Sequence, residues 1–338
     1  MKNQQIVLAK RPRGGCVTAD NFRYVQTPNA ALKTGQVLVR VIYTSIDPAI
    51  RLWISEHPPW VMPIQVGEVI TAVGLGIVEA SEDSDIPVGC LVQGFLGWQQ
   101  YSVCSGDVLT ILPEVPGLPL TAHLSLLGVI GLTAYVGLID LGEPKAGETI
   151  VVSGAAGAVG SLVGQIGKIV GCRVIGIAGG PQKCDYLRRQ LGFDAAIDYK
   201  NSDVTAQLDD FTAASGIDIY FDNVGGDVSD AVIARLNDCG RVLFCGEISM
   251  GYSDERPYRK ISSLDTIIKA LKFFGVRVDL YQDRAEAAFD WLVEHALKGE
   301  IKYRSHVIDG LQNAPDALEM VFRGKNKGKM IVRVSPEP

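Results

Sequence analysis

The segment Thr149-Ile-Val-Val-Ser-Gly-Ala-Ala-Gly-Ala-Val-Gly160 constrains this chain more than any other stretch. A short apolar run, Glu148–Ser153, ends in a glycine-rich turn, and a helix of small residues follows to about Val170. Within it, Ala155-x-Gly157-x-x-Gly160 is a dinucleotide fingerprint with alanine at the first glycine position. Gly157 lets the backbone approach a pyrophosphate with no Cβ in the way, and Gly160 lets the helix lie close on the strand. The start of the helix then aims its N–H groups and its positive dipole end at the phosphates. A glycine triplet alone is weak evidence. Here it follows a strand, opens a helix and begins a series of βαβ units, which is the context the motif needs.

The alternation continues downstream. Strands are expected at Arg173–Ala178, Ala195–Asp198, Ile217–Asn223, Arg241–Cys245 and Phe273–Val278, with helices at Lys183–Leu191 and Asp227–Leu236. Right-handed crossovers between such strands give a doubly wound parallel sheet. Upstream, short β-rich runs (Gln36–Tyr43, Glu68–Val73, Ile77–Ala80, Cys90–Gln93, Gln99–Cys104) are punctuated by glycine and proline, Gly74 and Gly76 among them. That texture predicts a compact, mostly β domain with a barrel-like core. After an amphipathic helix at Ala285–Lys298, the strands His306–Ile308 and Met330–Val334 flank a helix at Ala314–Arg323 and are expected to rejoin the N-terminal domain. The expected division is residues 1–122, completed by about 300–338, and residues 123–299.

The 38 acidic residues against 32 basic ones leave a formal charge of −6. No Lys/Arg block offers a footprint for a polyphosphate backbone, so nucleic acid is excluded as the main partner. No run reaches the roughly 18 uninterrupted apolar residues of a membrane span. The N-terminus lacks the apolar core of a secretory signal. Seven scattered cysteines, an odd number, read as reduced thiols. A cytoplasmic protein without a membrane partner is the expectation.

The end of the second strand selects the cofactor. NAD enzymes place an Asp or Glu there for the ribose 2′-hydroxyl. This chain has Ala178-Gly179-Gly180-Pro181, a small neutral turn with no carboxylate. Such a turn tolerates a 2′-phosphate, with Lys183 placed to supply a cation and Tyr199 a hydroxyl. NADP(H) is therefore expected over NAD(H).

Several further motifs stand in order: Ser45-Ile-Asp-Pro48 followed by Arg51, Gly131-Leu-Thr-Ala-Tyr-Val-Gly137, Phe221-Asp-Asn-Val-Gly-Gly226, Cys245-Gly-Glu-Ile-Ser249 and Gly324-Lys-Asn-Lys-Gly-Lys329. With these the chain resembles the zinc-independent medium-chain dehydrogenase/reductases of the prostaglandin reductase, leukotriene dehydrogenase and alkenal double-bond reductase type. The resemblance covers almost the whole sequence. It implies a GroES-like, mostly β domain packed on a doubly wound Rossmann domain, an active site in the cleft between them, and a homodimer. It also implies that Ala156, Gly157, Ala158 and Val159 line the pyrophosphate, and that Gly180, Lys183 and Tyr199 hold the adenosine phosphate end. Asn223 would bind the ribose side. Cys245, Gly246, Glu247, Ile248 and Ser249, with Val276, Arg277 and Val278, would line the nicotinamide pocket, which Thr133 and Asn326 would also reach.

Where a zinc relative carries its first cysteine, this chain has Ser45-Ile46-Asp47, and where it carries Gly-His-Glu, this chain has Gly67-Glu68-Val69. Its four histidines (57, 123, 295 and 306) are dispersed, and no C-x-x-C exists, so no zinc ligand set is expected. Chemistry without a Lewis acid suits a small-molecule acceptor that is already electrophilic. In an α,β-unsaturated ketone or aldehyde, hydride enters at the β-carbon and charge develops on the carbonyl oxygen, which needs hydrogen-bond donors. Where relatives of this type often carry tyrosine, after Asp47-Pro48, this chain has Ala49; where plant members carry one it has Leu75; and the tyrosine expected before Phe273 is Ile268. The remaining donor candidates are Arg51, Tyr252 and Tyr258, with Tyr135 and Tyr43, the latter read as core. Trp53 and Trp60 could form an apolar lip. The expectation is that no side-chain acid is essential and that water supplies the proton. A quinone reductase and a non-catalytic NADPH-binding protein are the competing readings.

Overall fold

The structure is a computed structural model describing residues 2–14, 17–58, 62–250 and 261–338. Two compact units emerge. The first draws its described residues from Met1–Leu124 and Ser305–Pro338, the second from Ser125–Met250 and Pro257–Arg304.

The first unit opens with strands β1 (Lys2–Leu8) and β2 (Phe22–Pro28), an antiparallel pair. Then follow β3 (Gln36–Ser45), the short helix α1 (Ala49–Trp53), β4 (Gly74–Ser81), β5 (Leu91–Gly94), β6 (Tyr101–Ser105) and β7 (Thr110–Ile111). Strand β3 organises the unit because its side chains alternate between faces. Val37, Val39 and Val41 are wholly buried against Val78, Ile86, Val92 and Leu96, while Ile42 packs with Leu75, Leu124 and Ile331. Tyr43 is core, as expected, and its hydroxyl donates to the Glu337 carboxylate at 2.6 Å.

Two upstream expectations fail. Glu68–Val73 is not a strand; Val69 makes only an isolated bridge to Val7. Its β-branched residues face the core without a ladder, a case of tertiary context overriding propensity. Gly74 and Gly76, read as turn punctuation, lie inside β4. There β3 comes so close that a Cβ on Gly76 would stand 2.4 Å from Val39 Cγ1 and 2.6 Å from the Arg40 carbonyl oxygen. Glycine in this strand marks a close backbone approach.

The second unit begins with helix α2 (Val129–Tyr135) and then alternates. Its elements are β8 (Thr149–Ser153), α3 (Ala158–Val170), β9 (Arg173–Ala178), α4 (Pro181–Gln190), β10 (Ala195–Asp198), α5 (Val204–Thr212), β11 (Ile217–Asp222), α6 (Gly226–Ile233), β12 (Leu236–Phe244), α7 (Ser263–Ile268), β13 (Lys272–Gly275) and α8 (Ala285–Leu297). The six strands are parallel in the order β10-β9-β8-β11-β12-β13. That is the doubly wound Rossmann order, with its switch point between β8 and β11. The central strands are covered on both faces, which is why they read as continuous apolar runs. Helices α2 and α5 were not anticipated. Asp203, whose carboxylate accepts from the N–H groups of Thr205 and Ala206, is the N-cap that announces α5. The sixth strand is shorter than expected and stops at Gly275.

The chain then returns to the first unit with β14 (Ser305–Asp309), α9 (Ala314–Phe322) and β15 (Lys329–Arg333), and β15 pairs antiparallel with β3. Lys329 seals this return. Its side chain is 3% exposed and pairs with the Asp47 carboxylate, to which Ser45 Oγ also donates; a further contact reaches the Ile46 carbonyl at 3.3 Å. A buried ion pair that loses one member strands the other. Asp47→Leu should therefore cost about 3 kcal/mol in urea unfolding. The double variant Asp47→Leu/Lys329→Met should recover most of that loss. A double variant no more stable than the single one would show that the stranded ammonium is not the cause.

Candidate functional site

The carboxyl ends of the parallel strands gather most of the sequence-predicted residues. After β8 the backbone turns at Gly154 (φ 58°), and Gly157 accepts the N-cap position of α3, its own N–H bonding the Gly154 carbonyl at 2.8 Å. A Cβ on Gly160 would stand 2.6 Å from the Gly154 oxygen and 2.9 Å from Ala155 Cα, so the helix can rest on the turn only without a side chain there. Ala155 and Ala156 are buried, whereas Gly157, Ala158 and Val159 are partly open. The first-turn N–H groups of α3, which lack intrahelical acceptors, suit a pyrophosphate at this point.

The second cluster lies after β9 and β10. Lys183 occupies the first turn of α4, whose N-cap is Gly180 (φ 94°). Burial lowers the Lys183 pKa below the ordinary lysine value, and the neighbouring Lys200 ammonium lowers it further. Tyr199, exposed, has its N–H on the Ala178 carbonyl at 3.2 Å. A carboxylate that the local sequence reading did not count is bonded to the turn. Asp198 Oδ1 accepts from the N–H groups of Gly180 (2.7 Å) and Lys200 (3.1 Å), and Oδ2 from Asn201 Nδ2 (2.7 Å). Burial works against its charge, but these donors and the Lys200 ammonium hold its pKa below the usual range. Its oxygens thus fasten the turn. The Lys183 ammonium and the Tyr199 hydroxyl are groups that fit a 2′-phosphate.

The third cluster forms around Asp222, a residue that sequence reasoning passed over as part of a motif. Asp222 is wholly buried at the end of β11. Its carboxylate accepts from Ser153 Oγ (3.0 Å), the Tyr220 hydroxyl (2.8 Å), the N–H groups of Val224 (3.0 Å) and Gly225 (2.9 Å), and Ser229 Oγ (2.7 Å). Its backbone carbonyl accepts from the N–H groups of Cys245 (2.8 Å) and Gly246 (3.0 Å). Asn223 is locked by bonds to Ser153 through both its N–H (2.9 Å) and its side-chain amide (2.8 Å). Ser249 closes the loop onto the Val224 carbonyl. The loops after β8, β11 and β12 are therefore one bonded assembly, in which Glu247 is exposed and Ile248 half-buried. Val276 continues β13 by bonding the Phe244 carbonyl at 2.8 Å, and Arg277 pairs with Asp279 at 2.8 Å. Burial, with Asp222 nearby, pushes the Cys245 thiol up to about 12. Thr133 lies nearly buried in α2 and donates to the Val129 carbonyl at 2.6 Å.

Not every predicted residue joins these clusters. Asn326 belongs to the first unit, where its amide donates to the Gly328 carbonyl at 2.8 Å. Arg51, on α1, is wholly buried and donates to the Gly14 carbonyl. Trp53 packs edge-on against the exposed Phe95, ring centroids 6.1 Å apart. Tyr252, Tyr258 and Trp60 lie outside the described residues. Among the described residues, no three His, Cys, Asp or Glu side chains come together as a metal would require.

A family model described as the N-terminal domain of oxidoreductase matches residues 4–112, and one described as zinc-binding dehydrogenase matches residues 158–294. The chain is 40% identical to the NADPH-dependent curcumin reductase of Escherichia coli, over 99% of this chain and 97% of that one. It is 36% identical to prostaglandin reductase 1 of Mus musculus, over 94% and 95%. The crystal structure of CurA in complex with NADPH from Vibrio vulnificus superposes with a TM-score of 0.93 at 41% identity, covering 99% of this chain and 100% of that one. Solved quinone oxidoreductases from Pseudomonas syringae and Escherichia coli, at 22% and 20% identity, share the fold.

For Asp222, burial opposes the charge, yet the donors from Gly225, Ser229, Val224 and Tyr220 outweigh it and hold the pKa below the usual carboxylate value. A depressed folded pKa gives stability that is present above the unfolded pKa and lost as pH falls through the folded one. Asp222→Asn should cost about 2 kcal/mol at neutral pH. In denaturant titrations across pH, the gap to wild type should close in acid. A gap that stays constant with pH would remove the carboxylate charge from the account.

Proposed function

The chain belongs to the zinc-independent medium-chain dehydrogenase/reductases, the family of the curcumin and prostaglandin reductases, and from that premise we propose that it reduces the carbon–carbon double bond of α,β-unsaturated ketones or aldehydes with NADPH. The observation that carries this reading is the neutral turn Ala178–Pro181 with Lys183 and Tyr199 around it, in a chain 40% identical to a curcumin reductase along its whole length. The first turn of α3, with Ala156–Val159, holds the pyrophosphate. Gly180, Lys183 and Tyr199 hold the 2′-phosphate, Asn223 the ribose, and Thr133, Cys245–Ser249 and Val276–Val278 the nicotinamide end. When bound, the reduced cofactor supplies a hydride for the β-carbon of the acceptor. The chain contributes position: hydrogen bonds to Asp222 hold together the loops assigned to the nicotinamide end, over which the alkene would lie. No side-chain acid is essential in this reading, and water delivers the proton to the α-carbon. The substrate domain comprises residues 1–122 with about 300–338, and the cofactor domain residues 123–299.

Stopped-flow oxidation of NADPH against a panel of enones and alkenals should show turnover with at least one class. Turnover with quinones while enones stay inert would make the protein a quinone reductase. Tight NADPH binding with no acceptor consumed would make it a binding protein.

We also place the protein in the cytoplasm as a homodimer. Cys90, Cys104, Cys172, Cys184, Cys239 and Cys245 are all free thiols, the state a reducing compartment maintains. No helix among the described residues is long and apolar enough to cross a membrane. For the dimer, β13 is the outermost strand of the parallel sheet among the described residues, and the preceding α7 exposes Leu264, Ile267 and Ile268. Sheet edges and apolar patches of this kind invite a second copy. Ile267→Glu should convert the dimer into a monomer in light scattering coupled to size exclusion. A wild-type chain that elutes as a monomer would refute the pairing.

A further inference from the structure

We propose that Lys200 is a second cationic determinant of cofactor choice, set over Gly179 beside Tyr199 to receive the ribose 2′-phosphate. The proposal deepens the NADP(H) reading above and rests on it. Lys200 follows β10, yet its backbone is anchored to the same oxygen that anchors the turn after β9. Asp198 Oδ1 takes the N–H of Lys200 at 3.1 Å and that of Gly180 at 2.7 Å. One carboxylate therefore fixes the position of Lys200 relative to the turn.

The side chain does not simply extend into water. Lys200 Cε lies 2.9 Å from the point where a Cβ on Gly179 would stand, and so does the Tyr199 hydroxyl. The ammonium sits 6.0 Å from the centroid of the Tyr199 ring. Glycine at 179 leaves the space that both side-chain ends occupy. Lys183 is close enough for the Lys200 charge to depress its pKa. The Lys200 ammonium and the Tyr199 hydroxyl thus meet at one glycine, with the Lys183 charge near enough for the two ammonium groups to repel.

A bound group with about two negative charges and three acceptor oxygens relieves that repulsion, as a phosphate monoester does. The pyrophosphate is not that group. Its place is the start of α3 after β8, whereas Lys200 follows β10, the outermost strand on that side of the sheet. NADH carries only a hydroxyl where NADPH carries the 2′-phosphate, so the contribution of Lys200 is specific to one cofactor. A surface pairing of Lys200 with Asp198 is the alternative, and it makes no distinction between the two nucleotides.

Fluorescence titration of the full-length protein with NADPH and with NADH tests the assignment. Lys200→Met should weaken NADPH about tenfold and leave NADH unchanged, while Lys200→Arg keeps most of the affinity. Competition by 2′-AMP should weaken in Lys200→Met, and competition by 5′-AMP should not. Gly179→Ala gives a second variant that keeps every charge. Its methyl group meets first the far ends of the Lys200 and Tyr199 side chains, not backbone, so the chain folds, but both ends are displaced and NADPH should again be weakened selectively. Equal losses for NADPH and NADH in Lys200→Met, or no loss for NADPH, would overturn the role of Lys200. A wild-type chain that binds NADPH no tighter than NADH would instead overturn the cofactor reading beneath it.

Discussion

Asp222 sits where the strand order reverses, and its bonds explain why the loops on either side of that point act together. A carboxylate taken out of water is costly unless its oxygens are fully supplied with donors. Here the donors come from β8 (Ser153), from β11 itself (Tyr220), from the turn that follows (Val224, Gly225) and from α6 (Ser229). The peptide oxygen of the same residue takes up two N–H groups of the loop after β12. The backbone that the proposed reading turns toward the cofactor is thereby fixed by one buried carboxylate. Rigid support of this kind is what a hydride transfer needs, since its rate depends on holding two carbon centres at a near-attack distance.

The other end of the site uses electrostatics instead of rigidity. Asp198 draws together the turns after β9 and β10 through backbone N–H groups. Its charge is met by those donors and by the Lys200 ammonium. A single acidic residue at the tip of β9 would favour a ribose hydroxyl. Here the acid stands one strand over, at the end of β10, which in the proposed reading leaves the turn after β9 to a phosphate.

Much of this was legible in the sequence because the signals are local. The strand, glycine turn and helix at 149–170 are encoded within one short window, and the parallel order follows from repeated βαβ units. The small neutral turn at 178–181 is equally local. What escaped was what depends on neighbours distant in sequence. Lys200 meets Gly179 only once two strands have been laid side by side, and Asp222 joins loops separated by some twenty to seventy positions. The failed strand at Glu68–Val73 has the same origin. Its composition suits a ladder, but β4 takes the place beside β3, helped by two glycines that sequence reading takes for breakers. The helix α1 hid for a different reason: five residues are too few for a helical period to show.

The Cys245 thiol has a bearing on survival of the enzyme under its own chemistry. Electron-poor alkenes are soft alkylating agents, and the species they attack is the sulfur anion, not the neutral thiol. In the proposed reading such a compound is delivered beside Cys245. With that sulfur pushed up to about 12 by burial and by Asp222, its anion is scarce at neutral pH. Cys172, held at about 11, is guarded in the same way. In that reading, a chain that handles Michael acceptors carries, beside its cofactor, a cysteine with little of the anionic form that those compounds alkylate.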